Sequence, residues 1–490
     1  MEETGQLHNF DIIHKGDPRI ESYLRDAVMS GSPDAVIRPR DWREVKDILT
    51  SCNGNKTPVT VCGARTSMTG SSIAMEGALV TTDRFNKILD IGEKDGKPYA
   101  VVEPAVIARD FQKAVEECGF HYPVVPTSCN EAFIGGTVAT NATGEDFYKY
   151  GPTRNFVREI TLLKMDGSAR HFSRSPNHKP KISKGLGGYF MDGEEIDYII
   201  GSEGTLGVIS RITLDLLPSV PKIFIILLPF HANMEALAFI DSLNSGDNRP
   251  RALEFIDSYA LSLMITHASP PKFSDKVKAL VYIKDEYAGD SSEAIEKWFG
   301  RISKLSCRSA IIDEAIAAVT DKQKEEFHGW RHHIPMAIAE LHERHEKAGG
   351  GKVAGDWWVP RPKMIKMMEW VYKESPKLGL PFTAFGHLGD GHPHINYICK
   401  TSKEKEAANA LLLAQCKRAV EFGGGVAAEH GIGKLKTNLL PMQHSGEIIE
   451  KMRALKSSFD PKWLLGKGNI FACHSRPVSK RGVNSSGNLL

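Results

Sequence analysis

The chain has 490 residues, a length that predicts two to three domains. It carries 62 lysines and arginines against 60 aspartates and glutamates, and this net charge of +2 excludes the large basic excess of a nucleic-acid-coating surface. Hydrophobic residues make up 41% and charged residues 25%, as in ordinary globular proteins, and the longest apolar run, residues 223–230, is too short for a membrane span.

The eight cysteines are scattered, and no two of them form a CxxC pair. Isolated thiols in a long chain are typical of a reducing compartment, and they exclude the clustered thiolates of an iron–sulfur centre. The acidic start, Met1-Glu2-Glu3, predicts no secretory signal. We therefore expect a cytoplasmic protein without a transmembrane span. Peripheral contact with the inner face of a membrane stays open, as does a mitochondrial location in a eukaryote.

The first part of the chain alternates predicted strands and helices. Hydrophobic spacing after a polar N-terminal arm, residues 1–34, predicts strands at 35–39, 58–62, 78–82 and 100–103, and helices beginning at Trp42 and spanning 107–118. The second of these strands runs into a loop of small residues at 63–70. Later, residues 160–165 and 169–172 carry the pattern of a strand–turn–strand hairpin.

Two further segments, at 134–144 and 199–209, are dense in glycine and small residues. Such segments make a poor core, and they predict a backbone that lies flat against a ligand. No GxGxxG motif opens a helix after a strand, and no GxxxxGK[ST] motif occurs. Both a Rossmann dinucleotide fold and a P-loop fold are therefore disfavoured.

A proline-containing stretch at 218–221 predicts a domain boundary. Beyond it the pattern predicts strands at 223–228 and 280–283 and helices at 234–243, 291–299 and 322–345. This second part is therefore expected to be an α+β domain. Residues 473–490 have the composition of a disordered tail.

Residues 385–394, FGHLGDGHPH, predict two strands joined by a Gly-Asp-Gly turn. Such a turn folds His387 and His394 toward each other, and imidazole pairs held in this way are good ligands for zinc or manganese. The alternative is a loop that happens to contain two polar histidines.

Two further segments contain candidate catalytic or ligand-binding residues. Glycines flank Glu429 and His430 in GGGVAAEHGIG at 423–433, so Glu429 could join the two histidines as a carboxylate ligand while His430 faces a substrate. The alternative is a helix end followed by a solvated loop. Arg331, within a long predicted helix, offers a planar fork suited to a carboxylate, unless it is simply a surface arginine.

Together these segments resemble the FAD-linked 2-hydroxyacid dehydrogenases of the vanillyl-alcohol-oxidase type, which include D-lactate dehydrogenases, glycolate oxidase flavoprotein subunits and D-2-hydroxyglutarate dehydrogenases. The resemblance runs from about Ala35 to Phe471. Its motifs stand in family order and are IGGTVATNATG at 134–144, YG at 150–151, IGSEGTLGVI at 200–209, GHLGDGHPH at 386–394 and AEHGIGKLK at 428–436. The resemblance implies an α+β fold in which a two-subdomain FAD-binding module, 35–218, is followed by an α+β cap or substrate domain with the metal site, 219–472.

By resemblance, small-residue segments bind FAD in extended form, largely through backbone N–H groups. The residues implied are Gly63, Ala64, Arg65, Thr66, Ser67, Thr69, Gly70, Pro126, Thr127, Ser128, Gly135, Gly136, Thr137, Asn141, Ala142, Gly144, Gly201, Glu203, Gly204, Gly207 and Val208. The family's first loop is usually Arg-Gly-Gly-Gly-Thr-Ser, so Ala64 and Arg65 depart from it. Arg65 is expected either to point away from the pyrophosphate or to pair with it. Thr66 stands where members with covalent FAD carry histidine, so FAD is expected to be non-covalent.

The resemblance also implies a mechanism. A divalent metal, zinc or manganese, on His387, His394 and Glu429 would chelate the hydroxyl and one carboxylate oxygen of a small D-2-hydroxy acid. His430 would act as general base, Arg331 would clamp the carboxylate, and a hydride would pass to flavin N5. His392, which replaces the family's common asparagine, offers a further nitrogen near the metal.

The expected activity is that of an FAD-dependent D-2-hydroxyacid dehydrogenase, with D-lactate as first choice and glycolate or D-2-hydroxyglutarate as alternatives. Because the chain has no nicotinamide motif and no cluster, the expected electron acceptor is external: a quinone, a cytochrome, an electron-transferring flavoprotein or an iron–sulfur partner subunit. Two other interpretations stay open, a flavin-dependent transferase like alkyl-glycerone-phosphate synthase and a catalytically silent FAD-binding subunit. A homodimer is compatible with the sequence, and no nucleic-acid partner is expected.

Overall fold

The structure is a computed structural model that describes residues 10–176, 178, 184, 187–243, 249–267, 273–305 and 309–472. The predicted tail at 473–490 and the first nine residues of the predicted arm lie outside this part. The described chain forms two compact units. The first contains the residues up to Gly144, Gly151–Val220 and the residues from Glu429 onward, and the second contains Glu145–Tyr150 and Pro221–Ala428. No described helix is both long and apolar enough to cross a membrane.

The strands of the first unit form two sheets. They are β1 (Ile12–His14), β2 (Ala35–Ile37), β3 (Val59–Cys62), β4 (Ala78–Thr81), β5 (Ile88–Lys94), β6 (Lys97–Val102), β7 (Val157–Leu163), β8 (Ala169–Ser173) and β9 (Val208–Asp215). The first sheet has the order β1-β2-β4-β3 and the second the order β5-β6-β9-β7-β8. Strands β2, β4 and β3 run parallel, so the small-residue loop leaves the carboxyl end of a parallel strand, where open α/β sheets bind ligands.

The strands of the second unit form one antiparallel sheet. They are β10 (Lys222–Phe230), β11 (Ala252–Ile256), β12 (Ala279–Tyr287), β13 (Ile316–Ala318), β14 (Gly349–Ala354), β15 (Phe382–Gly386) and β16 (His394–Thr401), in the order β13-β10-β12-β11-β15-β16-β14. The apolar run predicted as a strand is β10, which pairs with β12 along its whole length. Residues 224–230 of this strand are all buried, on both faces of the sheet, and this explains its continuous apolar sequence.

Thirteen α-helices are described between residues 10 and 472. They are α1 (Trp42–Asn55), α2 (Ala108–Glu117), α3 (Ile134–Thr140), α4 (Phe147–Tyr150), α5 (Glu195–Ile199), α6 (Asn233–Leu243), α7 (Ser258–His267), α8 (Ser291–Leu305), α9 (Asp321–Glu346), α10 (Met364–Glu374), α11 (Ser402–Glu421), α12 (Leu440–Gln443) and α13 (Gly446–Phe459). Helices α4 and α6–α11 belong to the second unit and the others to the first. The predicted α+β class is confirmed.

The C-terminal part of the chain returns to the first unit. The N–H of Gly466 donates to the carbonyl of Val59 over 2.8 Å. The buried ammonium group of Lys456 donates to the carbonyls of Thr205 and Leu465 over 2.6 and 3.0 Å. This differs from the expected division at 219–472, since residues from Glu429 pack with the FAD-type module. Partners more than 200 residues apart leave no trace in local composition, so a pass along the chain cannot detect this return.

A short segment, Glu145–Tyr150, is inserted in the second unit and held there by buried charges. The ammonium group of Lys284 lies 2.9 Å from carboxylate oxygens of both Glu145 and Asp146. Asp146 also pairs with Arg251, whose side chain is 1% exposed. These mutual pairings satisfy charges that would otherwise be costly to bury.

Candidate functional site

The small-residue loop after β3 is half-buried and held by its own hydroxyl groups. The hydroxyls of Ser67 and Ser71 lie 2.9 Å apart, and the hydroxyl of Thr69 donates to the backbone carbonyl of His430 over 3.1 Å. Gly70 has a φ of +72°, in the left-handed region that favours glycine. The loop is therefore fixed against the segment that carries His430.

The two departures in this loop are accommodated within the first unit. Arg65 has a φ of +59°, and its guanidinium lies over the ring of Tyr23, 4.9 Å from the centroid. Nη1 of Arg65 is also 3.6 Å from Sγ of Cys62. Ala64 and Thr66 stay half-buried beside it. Arg65 was expected either to point away from the pyrophosphate or to pair with it. Its side chain packs on residues of its own unit.

The segment at 134–144 begins with a helix, α3, where the sequence predicts a flat loop. The hydroxyl of Thr137 donates to the carbonyl of Ile134 over 2.8 Å within this helix, and Asn141 ends it at a φ of +49°. A Cβ at Gly135 would lie 2.4 Å from Cβ of Pro104, whereas one at Gly136 would meet no atom within 4 Å. Glycine therefore permits close packing on one side and leaves an open face on the other.

The segment at 201–208 joins α3 to the residues after His430. Glu203, at a φ of +52°, donates its N–H to the carbonyl of Ala139 over 2.8 Å. Its carboxylate accepts the N–H groups of Ile432 and Gly433 over 2.9 and 2.7 Å. Burial raises the pKa of Glu203 to about 7, and the two N–H groups work against that rise.

The remaining predicted FAD segments pack onto these. A Cβ at Gly144 would lie 2.7 Å from the backbone of Val125, next to Pro126. The N–H of Ala142 donates to the carbonyl of Thr137 over 2.7 Å, and a Cβ at Gly63 would approach the ring of Phe133, just before α3, to 3.5 Å. The segment Pro126-Thr127-Ser128 forms a turn in which its carbonyl groups accept the N–H groups of residues that follow it in the chain.

The structure thus brings the four predicted FAD segments together within one unit. They offer backbone N–H groups, hydroxyls and small side chains, and the surfaces of Gly136 and Thr127 are exposed. Such a cradle fits an elongated, phosphate-bearing cofactor, because backbone amides can bind phosphate without many basic side chains. The set of residues present therefore fits FAD.

Glu429 and His430 also lie in the first unit. The ammonium group of Lys184 donates to Oε1 of Glu429 over 2.9 Å, and the side chain of Lys184 is only 1% exposed. Sequence reasoning missed Lys184, since it stands 245 residues from its partner and no motif marks it. The pairing fixes the direction of the Glu429 carboxylate.

The two predicted metal-binding histidines lie close together in the second unit. Strands β15 and β16 pair with Phe385 opposite His394, and a short turn at 388–390 joins them, which confirms the predicted strand–turn–strand pattern. The ring centroids of His387 and His394 are 5.4 Å apart. Gly386 has a φ of +92°, and a Cβ there would lie 2.5 Å from Cδ2 of His394. Glycine at this position therefore makes room for the imidazole.

His392 is fully buried in the same turn. Its Nε2 lies 3.4 Å from Oδ1 of Asp356, and its ring centroid is 4.7 Å from that of His394. The carbonyl of Asp356 in turn accepts the N–H of Ala428 over 2.7 Å, and Ala428 directly precedes Glu429 in the chain. The turn thus brings three imidazoles close together, with the carboxylate of Asp356 beside His392.

Arg331 lies on α9 and forms a two-point ion pair with Glu254 of β11. Nη2 of Arg331 is 2.7 Å from Oε1 of Glu254, and Nε contacts the other oxygen. Nδ1 of His387 is 3.1 Å from the same Oε1. Burial alone would raise the pKa of Glu254, but Arg331 and His387 hold it below its usual range. Sequence reasoning missed Glu254, which is a single acidic residue in an otherwise buried apolar strand.

Comparisons with known proteins identify the family of the chain. Residues 222–470 match the family described as FAD linked oxidases, C-terminal domain, and residues 33–173 match the FAD binding domain. The chain is 29% identical over 476 residues to the glycolate oxidase subunit GlcD of Bacillus subtilis, covering 96% of this chain and 95% of that protein. It is 27% identical to a D-lactate dehydrogenase of Anaerostipes hadrus, covering 93% and 94% of the two chains. It is 26% identical to a D-2-hydroxyglutarate dehydrogenase of Stutzerimonas stutzeri, covering 90% and 91%.

A solved structure of an alkyldihydroxyacetonephosphate synthase superposes with a TM-score of 0.65 at 15% identity, covering 93% of this chain and 81% of that one. At this identity the likeness concerns the fold alone, and it confirms the predicted fold class. The family matches span most of the described residues and contain three of the four cradle segments as well as the histidine turn. The chain therefore belongs to the FAD-linked oxidases and is an FAD-linked oxidoreductase of the D-2-hydroxyacid dehydrogenase family.

Proposed function

We propose that the protein oxidises a small D-2-hydroxy acid, with D-lactate as the first candidate. The observation that carries this proposal is the close pair of imidazoles, the buried His387 and the half-buried His394, in the same unit as Arg331. The names of three relatives, which are enzymes of glycolate, D-lactate and D-2-hydroxyglutarate, support a small 2-hydroxy acid as the class of substrate. Lactate is preferred because its small uncharged tail requires no second carboxylate site, and burying a second carboxylate needs a further cation.

In this proposal the four small-residue segments of the first unit hold FAD without a covalent bond. Thr66 offers no ring nitrogen for attachment to the flavin. His387, His394 and Glu429 hold a divalent cation, zinc or manganese, and the imidazole–carboxylate donor set is one that both ions accept. When bound, FAD supplies hydride acceptance and the cation supplies Lewis acidity.

In this proposal, residues of the chain itself remove the proton and orient the substrate. His430 removes the hydroxyl proton, and general base is a role that imidazole side chains commonly fill. Its backbone is fixed by the hydroxyl of Thr69. Arg331 orients the substrate carboxylate, and Lys184 fixes the carboxylate of Glu429. Electrons leave to an external acceptor, for which a quinone, a cytochrome, an electron-transferring flavoprotein and an iron–sulfur subunit are the candidates. The proposed setting is the cytoplasm or the inner face of a membrane.

A panel of D- and L-2-hydroxy acids with an artificial dye acceptor tests the activity. We expect turnover with D-lactate above that with glycolate or D-2-hydroxyglutarate, and none with L-lactate. Anaerobic D-lactate should bleach the visible absorbance of the bound flavin. No bleaching with any 2-hydroxy acid would instead favour a silent FAD-binding subunit or a transferase.

One variant and one treatment test the assigned roles. His430→Ala should lower kcat by about 10²–10⁴-fold while FAD content and cation content stay unchanged. Exhaustive chelation should abolish turnover, and added Zn²⁺ or Mn²⁺ should restore it. Full activity in His430→Ala would remove His430 as the base, and indifference to chelators would remove the cation.

A further inference from the structure

One buried carboxylate, that of Glu254, contacts two residues with different proposed roles. Glu254 lies in the middle of β11 and is 1% exposed. Its Oε1 is 2.7 Å from Nη2 of Arg331 and 3.1 Å from Nδ1 of His387, and its Oε2 contacts Nε of Arg331. Glu254 and Ile256 share one face of the sheet, since side chains alternate along a strand. Ile256 packs with Ile334 of α9, so this face is turned toward the helix that carries Arg331.

The contact with Glu254 determines which edge of Arg331 stays available. A guanidinium has five N–H donors, and Glu254 occupies the edge formed by Nε and Nη2. Within the described residues, Nη1 forms no hydrogen bond or ion pair. The side chain is 15% exposed, and the edge with Nη1 is the one that Glu254 leaves uncovered.

The same contact determines the tautomer of His387. A carboxylate that is ion-paired with an arginine is ionised, and an ionised carboxylate can only accept hydrogen bonds. Nδ1 of His387 must therefore carry the hydrogen, and Nε2 keeps the lone pair that a cation requires. Carboxylates that orient ligating histidines in this way raise the affinity of metal sites.

We propose that Glu254 is a positioning residue that sets both the tautomer of His387 and the free edge of Arg331. The inference rests on the proposed function, in which His387 binds the cation and Arg331 the substrate carboxylate. One carboxylate thereby links cation binding to carboxylate recognition.

The variant Glu254→Gln tests this link. The glutamine amide has the shape of the carboxylate, but it has one oxygen that accepts hydrogen bonds and one NH₂ group that donates them. Its oxygen should turn to the charged Arg331, and its NH₂ should then face His387. Nδ1 of His387 must accept that bond, so the hydrogen moves to Nε2 and the lone pair for the cation is lost. We expect Zn²⁺ affinity to fall by about 10–100-fold. KM for D-lactate should rise, and FAD content should stay that of the wild type.

The paired variant Glu254→Gln with Arg331→Met provides a rescue and also removes an uncompensated buried cation that could prevent folding. Its amide oxygen is free to face His387, so the Nδ1–H tautomer and Zn²⁺ affinity should return while the raised KM persists. Glu286→Gln is the matched control, since Glu286 lies on the neighbouring strand β12 and contacts Lys149 and Arg251. It should leave the tautomer and Zn²⁺ affinity unchanged.

The readouts are competition with a chromophoric chelator for Zn²⁺ and ¹⁵N chemical shifts of labelled histidine in the metal-free protein. An unchanged tautomer and unchanged Zn²⁺ affinity in Glu254→Gln would overturn the inference. A wild type that binds no cation would defeat the proposed metal role alone. In that case the ¹⁵N chemical shifts still test the role of Glu254. A His387 hydrogen that moves from Nδ1 to Nε2 in Glu254→Gln and returns to Nδ1 in the paired variant supports the inference. Any other pattern rejects the inference.

Discussion

Replacing Gly386 by alanine should displace one imidazole without touching any donor atom. The added methyl carbon would lie 2.5 Å from Cδ2 of His394. Non-bonded carbons approach to about 3.5–4.0 Å, so the ring must retreat by about 1 Å. Metal–ligand distances tolerate only about ±0.2 Å, and we therefore expect Zn²⁺ affinity to fall at least tenfold in Gly386→Ala.

The same substitution also strains the backbone, because Gly386 has a φ of +92°. An L residue in this region costs about 1–3 kcal/mol. Gly379→Ala is the matched control: its φ is +65°, and a Cβ there would meet no atom within 4 Å. Both variants should lose thermal stability in calorimetry, Gly386→Ala by more because of the added clash, and both should keep FAD. Only Gly386→Ala should lose Zn²⁺ in the chelator competition, and equal Zn²⁺ affinity in the two variants would refute the steric reasoning.

Three further predictions concern single side chains. The stability that Glu203 contributes is fully present below its ordinary pKa of about 4.5 and is lost as pH rises through its raised pKa of about 7. Against Glu203→Gln, denaturation between pH 4.5 and 7.5 should show a relative loss of about 3 kcal/mol in the wild type, and a difference independent of pH would contradict this. Asp146→Asn weakens the pairing of Arg251 and Lys284 and should lower the free energy of unfolding by about 3–5 kcal/mol, measured by chemical denaturation. Arg65→Ala should change FAD affinity less than threefold in a flavin fluorescence titration, and a tenfold loss would indicate a phosphate contact.

The parts of the fold and site that could be predicted from sequence depend on local patterns. The turn between His387 and His394 could be predicted because Gly-Asp-Gly between two apolar runs favours a tight reversal. The small-residue loop at 63–70 could be predicted in the same way, since glycine and small residues directly follow a predicted strand. In both cases the decisive residues lie within about ten positions of each other.

Features that arise from partners far apart in sequence could not be predicted. Nothing near Glu254 in the chain points to Arg331, 77 residues later, or to His387. Lys184 meets Glu429 only because the C-terminal segment returns to the first unit. Helix α3 was expected to be a loop because its glycine and small residues make a poor core and suit a backbone that lies flat against a ligand. Packing of Gly135 on Pro104 holds the helix although glycine and threonine are poor helix formers.

Because the last described segment returns to the first unit, no single cut in the sequence separates the chain into two complete units. A fragment that stops at residue 218 would retain all the small-residue loops, but it would strand the Glu203 carboxylate without the amides of Ile432 and Gly433. It would also expose the edge of β3 that Gly466 closes. Exchange of cofactor modules between relatives, in the laboratory or in evolution, therefore has to transplant two stretches of gene together.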